Sequence, residues 1–230
     1  VFATANYGTN GGTALSRPDL VPNASDTILV SLTSFDVAGN TLESIDPAGM
    51  VIRFEYDDRG RKVTQVDNYQ PDNSSSSSSS SSSGDDCEPS DDANRTIRYT
   101  FTPDGQQATM TAENWRTGDQ TTTWTYGTTL DDSDMASSQL LRSVTYPDSE
   151  SSSDLVAYSY NRVGQRISLT DQRGCIHDYD YDKLGRQLHD RVTTVGDGVD
   201  GTVVRLSTTY EVRGMVQTLT SWTDASVTSG

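Results

Sequence analysis

Seven of the fifteen tyrosines and phenylalanines in this chain are followed four positions later by a glycine. With 18 glycines in 230 residues, composition alone predicts about one such coincidence. The pairs are Tyr7 with Gly11, Phe35 with Gly39, Tyr56 with Gly60, Phe101 with Gly105, Tyr160 with Gly164, Tyr181 with Gly185, and Tyr210 with Gly214. A polar residue often follows the aromatic (Asp36, Asp57, Asn161, Asp182, Glu211), and another often follows the glycine (Asn40, Arg61, Gln106, Gln165, Arg186). Seven positions after the aromatic comes Leu42, Val63, Ala108, Ile167 or Leu188. Such an internal repeat means a repeated structural unit, and it governs every other reading of the chain.

The unit reads as a β-hairpin. The aromatic closes an incoming strand, and the Asp or Asn after it starts a tight turn by accepting a backbone N–H on its side chain. Glycine then supplies the positive φ that completes a type I turn with a bulge. The apolar residue at the seventh position is expected to return on the second strand and cover the aromatic. The 21-residue spacing from Phe35 to Tyr56, and again from Tyr160 to Tyr181, equals two strands of about seven residues plus two turns. "WTYGTTLDDSDMASSQLLRSVTYPD" reads as a worn copy with an enlarged turn. Elsewhere Val, Thr, Ile and Tyr alternate with polar residues ("VIRFEY", "RTIRYTFT", "TTTWTY"), and no segment shows helical spacing. The predicted fold is all-β, built of repeated antiparallel hairpins.

One segment stands apart. Ser74 to Ser83 is an unbroken serine run, followed by Asp85, Asp86, Glu88, Asp91 and Asp92. It has no apolar surface to bury, and its acids repel one another, so it reads as a solvated insertion in a surface loop. Its cost is small because closure entropy grows only with the logarithm of loop length. A glycosylated tether is the functional alternative. The expected organisation is repeats over 1–68, a Ser-rich acidic disordered insertion over 69–93, and repeats over 94–230.

Composition excludes some functions. The formal net charge is −16, a field that repels phosphate backbones and lacks the basic footprint of nucleic-acid binding. Hydrophobic residues make up 32%, low for a compact domain even with the glycines added. Either part of the chain is unstructured or the fold exposes more surface than a globule. No run of about 18 apolar residues occurs, so no helical membrane span is predicted. The chain opens at Val1 with no signal segment and is read as a piece of something longer.

"FEYDDRGRKVTQV", "YSYNRVGQRISLTD" and "YDYDKLGRQLHD" resemble the Rhs/YD-repeat family, whose signature is an aromatic, Asp, two variable residues, Gly and Arg. "LLRSVTYPD" and "SIDPAGMVIRFEYD" resemble the joints between such repeats. The likeness runs from about residue 27 to 224, outside the serine insertion. The copies from Tyr56 and Tyr181 match the full hexapeptide, through Asp57, Gly60 and Arg61 and through Asp182, Gly185 and Arg186. Those from Phe101 and Tyr210 are degenerate, with Thr102 and Glu211 after the aromatic. The resemblance implies a curved, spiralling sheet of hairpins, a segment of a shell or filament. Family members include bacterial polymorphic toxins, toxin-complex subunits, wall-associated proteins and teneurins. Their shells enclose a polypeptide cargo or present a rigid extracellular body. The Pro-Gly-rich self-cleaving motif of toxin-bearing members has no counterpart after Tyr210.

Other constellations carry less. His177 and His189 lie near Cys175, Asp178, Asp180 and Asp182, but without HxH or CxxC spacing, and the repeat already accounts for the acids. "DGVDG" and "DDSD" lack the ligand alternation of a calcium loop. No GxSxG or phosphate loop occurs. We therefore assign no catalytic, cofactor-binding or metal residue. Cys87 and Cys175 form an even pair that could make a disulfide in a secreted protein. Asn23, Asn73 and Asn94 head glycosylation sequons. The expected function is a structural segment of a larger secreted or cell-surface protein, not an enzyme. The alternative is an adhesion module that binds glycans or a partner through exposed Trp115, Trp124 and Trp222. Expected partners are further repeats of the same polypeptide or identical copies, joined through edge strands, and an enclosed polypeptide cargo.

Overall fold

A computed structural model of the chain describes residues 1–7, 19–71, 93–114, 116–147 and 155–227. Among the described residues there are strands and no helix. The strands are β1 (Phe2–Asn6), β2 (Leu29–Phe35), β3 (Thr41–Ile45), β4 (Val51–Tyr56), β5 (Lys62–Asp67), β6 (Arg95–Phe101), β7 (Gln107–Ala112) and β8 (Gln120–Thr128). They continue as β9 (Ser137–Thr145), β10 (Leu155–Tyr160), β11 (Arg166–Thr170), β12 (Ile176–Tyr181), β13 (Gln187–Thr194), β14 (Arg205–Tyr210) and β15 (Val216–Trp222). Their order in the sheet is their order in sequence, with no crossover. Eight of the fourteen connections are five residues long, and at each of these a chain that turns so tightly can pair only with the strand it has just left.

The chain divides into two compact units: Val1–Gln106 with Met110–Gln120, and Gln107–Thr109 with Thr121–Gly230. In the first, strand register puts Phe54, Tyr56, Lys62, Gln65, Tyr99 and Phe101 on one face. In the second, one face carries Tyr158, Tyr160, Arg166, Tyr179, Tyr181 and Tyr210. The other face carries Ser159, Ser168, Asp178, Asp180, His189, Arg191, Arg205 and Ser207. This two-residue alternation makes an aromatic side and a polar side.

Little is buried. Among the described residues the buried apolar side chains are Val30, Val144 and Cys175, and none falls below 2% exposure. The aromatics are instead half-covered by long cationic side chains on their own face. Lys62 Nζ lies 5.7 Å from the Phe54 ring centroid and 4.7 Å from that of Tyr99. Arg166 Cζ lies 5.8 Å from Tyr158 and 4.8 Å from Tyr179. Each aliphatic stem removes ring surface from water while its charge meets the π face. A chain with 32% hydrophobic residues can therefore build an ordered sheet without a conventional core.

The expectation about the seventh position is corrected here. Across the ladder each aromatic faces the sixth residue after it: Phe35 faces Thr41, Tyr56 faces Lys62, Tyr160 faces Arg166, Tyr181 faces Gln187 and Tyr210 faces Val216. In each hairpin a bulge just before the aromatic shifts the register by one, and such a shift changes which residues share a face.

Candidate functional site

The polar residues that could carry chemistry gather in the hairpin turns, and the turn after Tyr56 shows what they do. The Gly60 N–H donates to the Asp57 carbonyl at 2.9 Å, and the Asp57 N–H donates to the Arg61 carbonyl at 2.9 Å. Asp57 Oδ1 accepts from the backbone N–H groups of Arg59 (3.0 Å) and Arg61 (2.9 Å). Its Oδ2 accepts from Arg61 Nε at 2.8 Å and Nη2 at 2.6 Å. Both carboxylate oxygens are thus occupied within five residues. Asp182 repeats the pattern with Leu184, Arg186 and the Arg186 guanidinium. Asn161 keeps the backbone half, its Oδ1 accepting from Val163 and Gln165. Asp36 does the same with Ala38 and Asn40, and the Asn40 amide donates to its second oxygen.

Gly60, Gly164 and Gly185 have φ of +75°, +80° and +82°, the left-handed conformation such a turn requires. The degenerate copies keep the backbone and lose part of the side-chain chemistry. Thr102 Oγ1 accepts from the Gln106 N–H, and Glu211 pairs with Arg213. Phe35, Gly39, Phe101, Gly105, Tyr210 and Gly214 all sit in hairpins of this kind. Tyr7 lies just past β1, and Gly11 lies outside the described residues.

Charge follows from these bonds. The Arg61 side chain, then its backbone N–H, hold the Asp57 carboxyl below the ordinary aspartate value. The Arg186 N–H and side chain lower Asp182, and the Asn40 side chain and N–H lower Asp36. A carboxyl held ionised by its own turn is poorly placed to act as a proton donor near neutral pH.

The residue after the glycine also reaches the next hairpin. Arg61 Cζ lies 4.4 Å from the centroid of the Phe101 ring, and Arg186 Cζ lies 4.5 Å from that of Tyr210. Gln165 Nε2 donates to the Gly185 carbonyl at 2.9 Å. The tyrosines reach back: the Tyr181 hydroxyl donates to the Arg166 carbonyl (2.7 Å), and the Tyr210 hydroxyl donates to the Gln187 carbonyl (2.8 Å). Aromatic, acid, glycine and cation therefore form one device, a turn that locks itself and grips its neighbour.

A second row of turns stands at the other strand ends, one of them within the joint "SIDPAGMVIRFEYD". Asp46 Oδ1 accepts from Ala48 and Met50, and Asp171 Oδ1 from Arg173 and Cys175. The sequence reading did not single out their shared Asp-x-x-Gly, at Asp46/Gly49 and Asp171/Gly174. It also missed the closure between Gln70 and Asn94. The Asn94 N–H donates to the Asn68 carbonyl at 3.0 Å, and Asn94 Oδ1 accepts from the Gln70 N–H at 2.8 Å. Asn94 Nδ2, the atom that glycosylation would modify, donates to the Gln70 carbonyl at 3.3 Å.

The remaining candidates disperse. His177 Nδ1 pairs with Asp190 at 2.7 Å on the aromatic face, whereas His189 Nδ1 contacts Ser207 at 3.0 Å on the polar face. Among the described residues no group of His, Cys, Asp or Glu is arranged to hold a metal. Asp132 caps the enlarged turn through the Thr129 N–H (2.8 Å) and pairs with Arg142 at 2.9 Å. Cys175 is a free, buried thiol that accepts the Gly196 N–H. Cys87, Asn73, Trp115 and the serine run lie outside the described residues. Asn23 is exposed and Trp124 half-buried. Trp222 is 45% exposed, with Arg205 Cζ 4.6 Å from its ring centroid. A hollow of 590 Å³ beside the first turns is lined by Asp36, Asn40, Glu43, Phe54, Tyr56 and Asp57, among others, and of these the Asp36 and Asp57 carboxylates are engaged in their own turns.

Comparison with known proteins agrees with this geometry. Residues 35–71 match the RHS Repeat family model. The crystal structure of TcdB2–TccC3 without its hypervariable C-terminal region is similar, with a TM-score of 0.56 at 17% identity, over 87% of this chain and 10% of that one. The TcdB2–TccC3–Cdc42 structure gives a TM-score of 0.55 at 17% identity, over 86% and 9%. The Photorhabdus luminescens Tc holotoxin pore with a TccC3 mutation gives 0.55 at 16%, over 86% and 9%. At these identities the likeness is one of fold, and this chain spans 9% to 10% of their length. No curated protein matches the sequence.

Proposed function

From a chain that carries an RHS repeat at residues 35–71 within a sheet of like hairpins, we propose a structural role. It is a segment of a larger secreted or cell-surface protein, contributing hairpins to a shell or scaffold. The observation that carries this reading is the turn ladder. The best candidates for acid–base chemistry, Asp57 and Asp182, spend both carboxylate oxygens on their own turns. The cations that follow the glycines cover the aromatic of the next hairpin. On this reading the chain is not an enzyme.

The serine-rich stretch 69–93 is an insertion between repeat blocks. The Asn68–Asn94 and Gln70–Asn94 bonds support this, because they join the sheet across its two ends. The stacking of Arg205 on Trp222 favours scaffold over glycan binding at that residue, since a sugar would need the covered ring face. As the resemblance to the Rhs/YD-repeat family implies, an enclosed polypeptide is the natural cargo of the larger protein.

Edge strands supply the test. Among the described residues β15 has β14 as its single neighbour, and all its residues are exposed, so its outer backbone groups can template another strand. Sedimentation velocity of the isolated chain should show concentration-dependent association that disappears when Val216–Trp222 carries a proline at an outward-facing N–H. A discrete monomer at all concentrations, with β15 amides already protected from exchange, would overturn the proposal that it joins further repeats.

A further inference from the structure

We propose that the turn tips of the second unit form a docking row for an acidic, aliphatic-containing polypeptide segment. Each of three successive hairpins there places one cation and one aliphatic side chain at the two middle turn positions: Arg162 with Val163, Lys183 with Leu184, and Val212 with Arg213. All six are exposed, Val163 at 77%, Leu184 at 79% and Val212 completely. Most cations of this unit are committed inside the chain. Arg142, Arg186, Arg191 and Arg213 make ion pairs, and Arg166 and Arg205 cover aromatic rings. Among the described residues Arg162, Arg173 and Lys183 have no such partner, and Arg162 and Lys183 stand at neighbouring tips.

The row is held in place. Gln165 ties the first turn to the Gly185 carbonyl of the second, and Arg186 ties the second to the Tyr210 ring of the third. A partner therefore meets a preorganised line of charges and aliphatics, and the ordering cost on this side is already met. Its chemistry follows from charge and pitch. Hairpins repeat every two strands, about 9.6 Å, and a chain in the polyproline II conformation returns every third side chain to one face after about 9.3 Å. A segment of that conformation, with an acid at every third position and aliphatics between, would set carboxylates opposite Arg162 and Lys183. A nucleic acid or an anionic membrane fits less well, because either would also face the rest of a chain carrying −16. The corresponding tips of the first unit, Val37-Ala38, Asp58-Arg59 and Pro103-Asp104, lack the pattern and serve as an internal control.

The experiment uses the whole chain and fluorescence anisotropy. Probes are a labelled peptide of repeated Asp-Leu-Ala units, the same peptide with Lys for Asp, and phosphatidylserine-containing vesicles. The acidic peptide should bind, more weakly as salt rises. Arg162→Glu with Lys183→Glu should weaken it about tenfold, from two reversed surface charges. Val163→Ser with Leu184→Ser should also weaken it, whereas Arg59→Glu should leave it unchanged. All these positions are exposed, so circular dichroism of each variant should match the parent. Undiminished binding by the charge-reversed variant, equal binding of the Lys peptide, preference for the vesicles, or no binding of the acidic peptide would each overturn the proposal.

Discussion

Two acids in equivalent turns, Asp57 and Asp182, show how a residue in this chain is used. Each carboxylate accepts backbone N–H groups and a guanidinium at once, and these bonds hold its pKa below the ordinary aspartate value. A carboxyl whose folded value is depressed contributes stability that is fully present above the unfolded value, about 3.9. That contribution is lost as pH falls through the lower folded value. Asp57→Asn and Asp182→Asn should keep the turn, as Asn161 does with the same backbone bonds. They should be somewhat less stable at pH 7 and lose less on going from pH 5 to pH 2, read by thermal melts. A steeper acid loss in the Asn variants would contradict the assignment. Glycines separate two other effects. At Gly164 an added Cβ meets nothing within 4 Å, so Gly164→Ala should cost only the left-handed penalty of about 1–2 kcal/mol. At Gly185 the Cβ would stand 3.0 Å from Gln165 Nε2. Gly185→Ala should cost the same and also loosen the bond to the preceding turn, which urea unfolding can measure.

At the scale of the hairpin, the aromatic-to-glycine spacing made the turns legible because turn geometry is local: five residues contain every donor and acceptor involved. The cover over each aromatic was not legible, because it depends on register and on the neighbouring hairpin. Val63 and Leu188 were expected to cover Tyr56 and Tyr181, yet the bulge shifts the facing partner to Lys62 and Gln187. The Asp46 and Asp171 turns were legible only as joints between repeats, because no aromatic precedes their Asp-x-x-Gly. Another close approach lies in the β13–β14 connection. Gly196 donates to Cys175 Sγ at 3.2 Å, and a Cβ there would stand 2.2 Å from the Arg173 carbonyl oxygen. Gly196→Ala should therefore force backbone movement and cost about 1–3 kcal/mol. A melt indistinguishable from the parent would show that the connection yields freely.

Across each unit, stability comes from neighbours rather than from a core, since so few described apolar residues are buried. Low hydrophobic content made that legible in outline, but the sequence could not show that arginines and tyrosines would replace the core. The Asn68–Asn94 closure predicts that deleting residues 72–92 leaves the melting midpoint nearly unchanged, because the sheet does not need the segment to stay joined. A repeat array of this kind behaves as a sum of unit stabilities and nearest-neighbour coupling, so the central claim is that adjacent hairpins are coupled through their turn residues. A double-mutant cycle of Arg186→Ala and Tyr210→Ala, followed by urea unfolding, measures that coupling directly. The account predicts a coupling energy of about 0.5–1 kcal/mol from the guanidinium over the ring. Strictly additive effects of the two substitutions would show that the turn does not grip its neighbour and would contradict it.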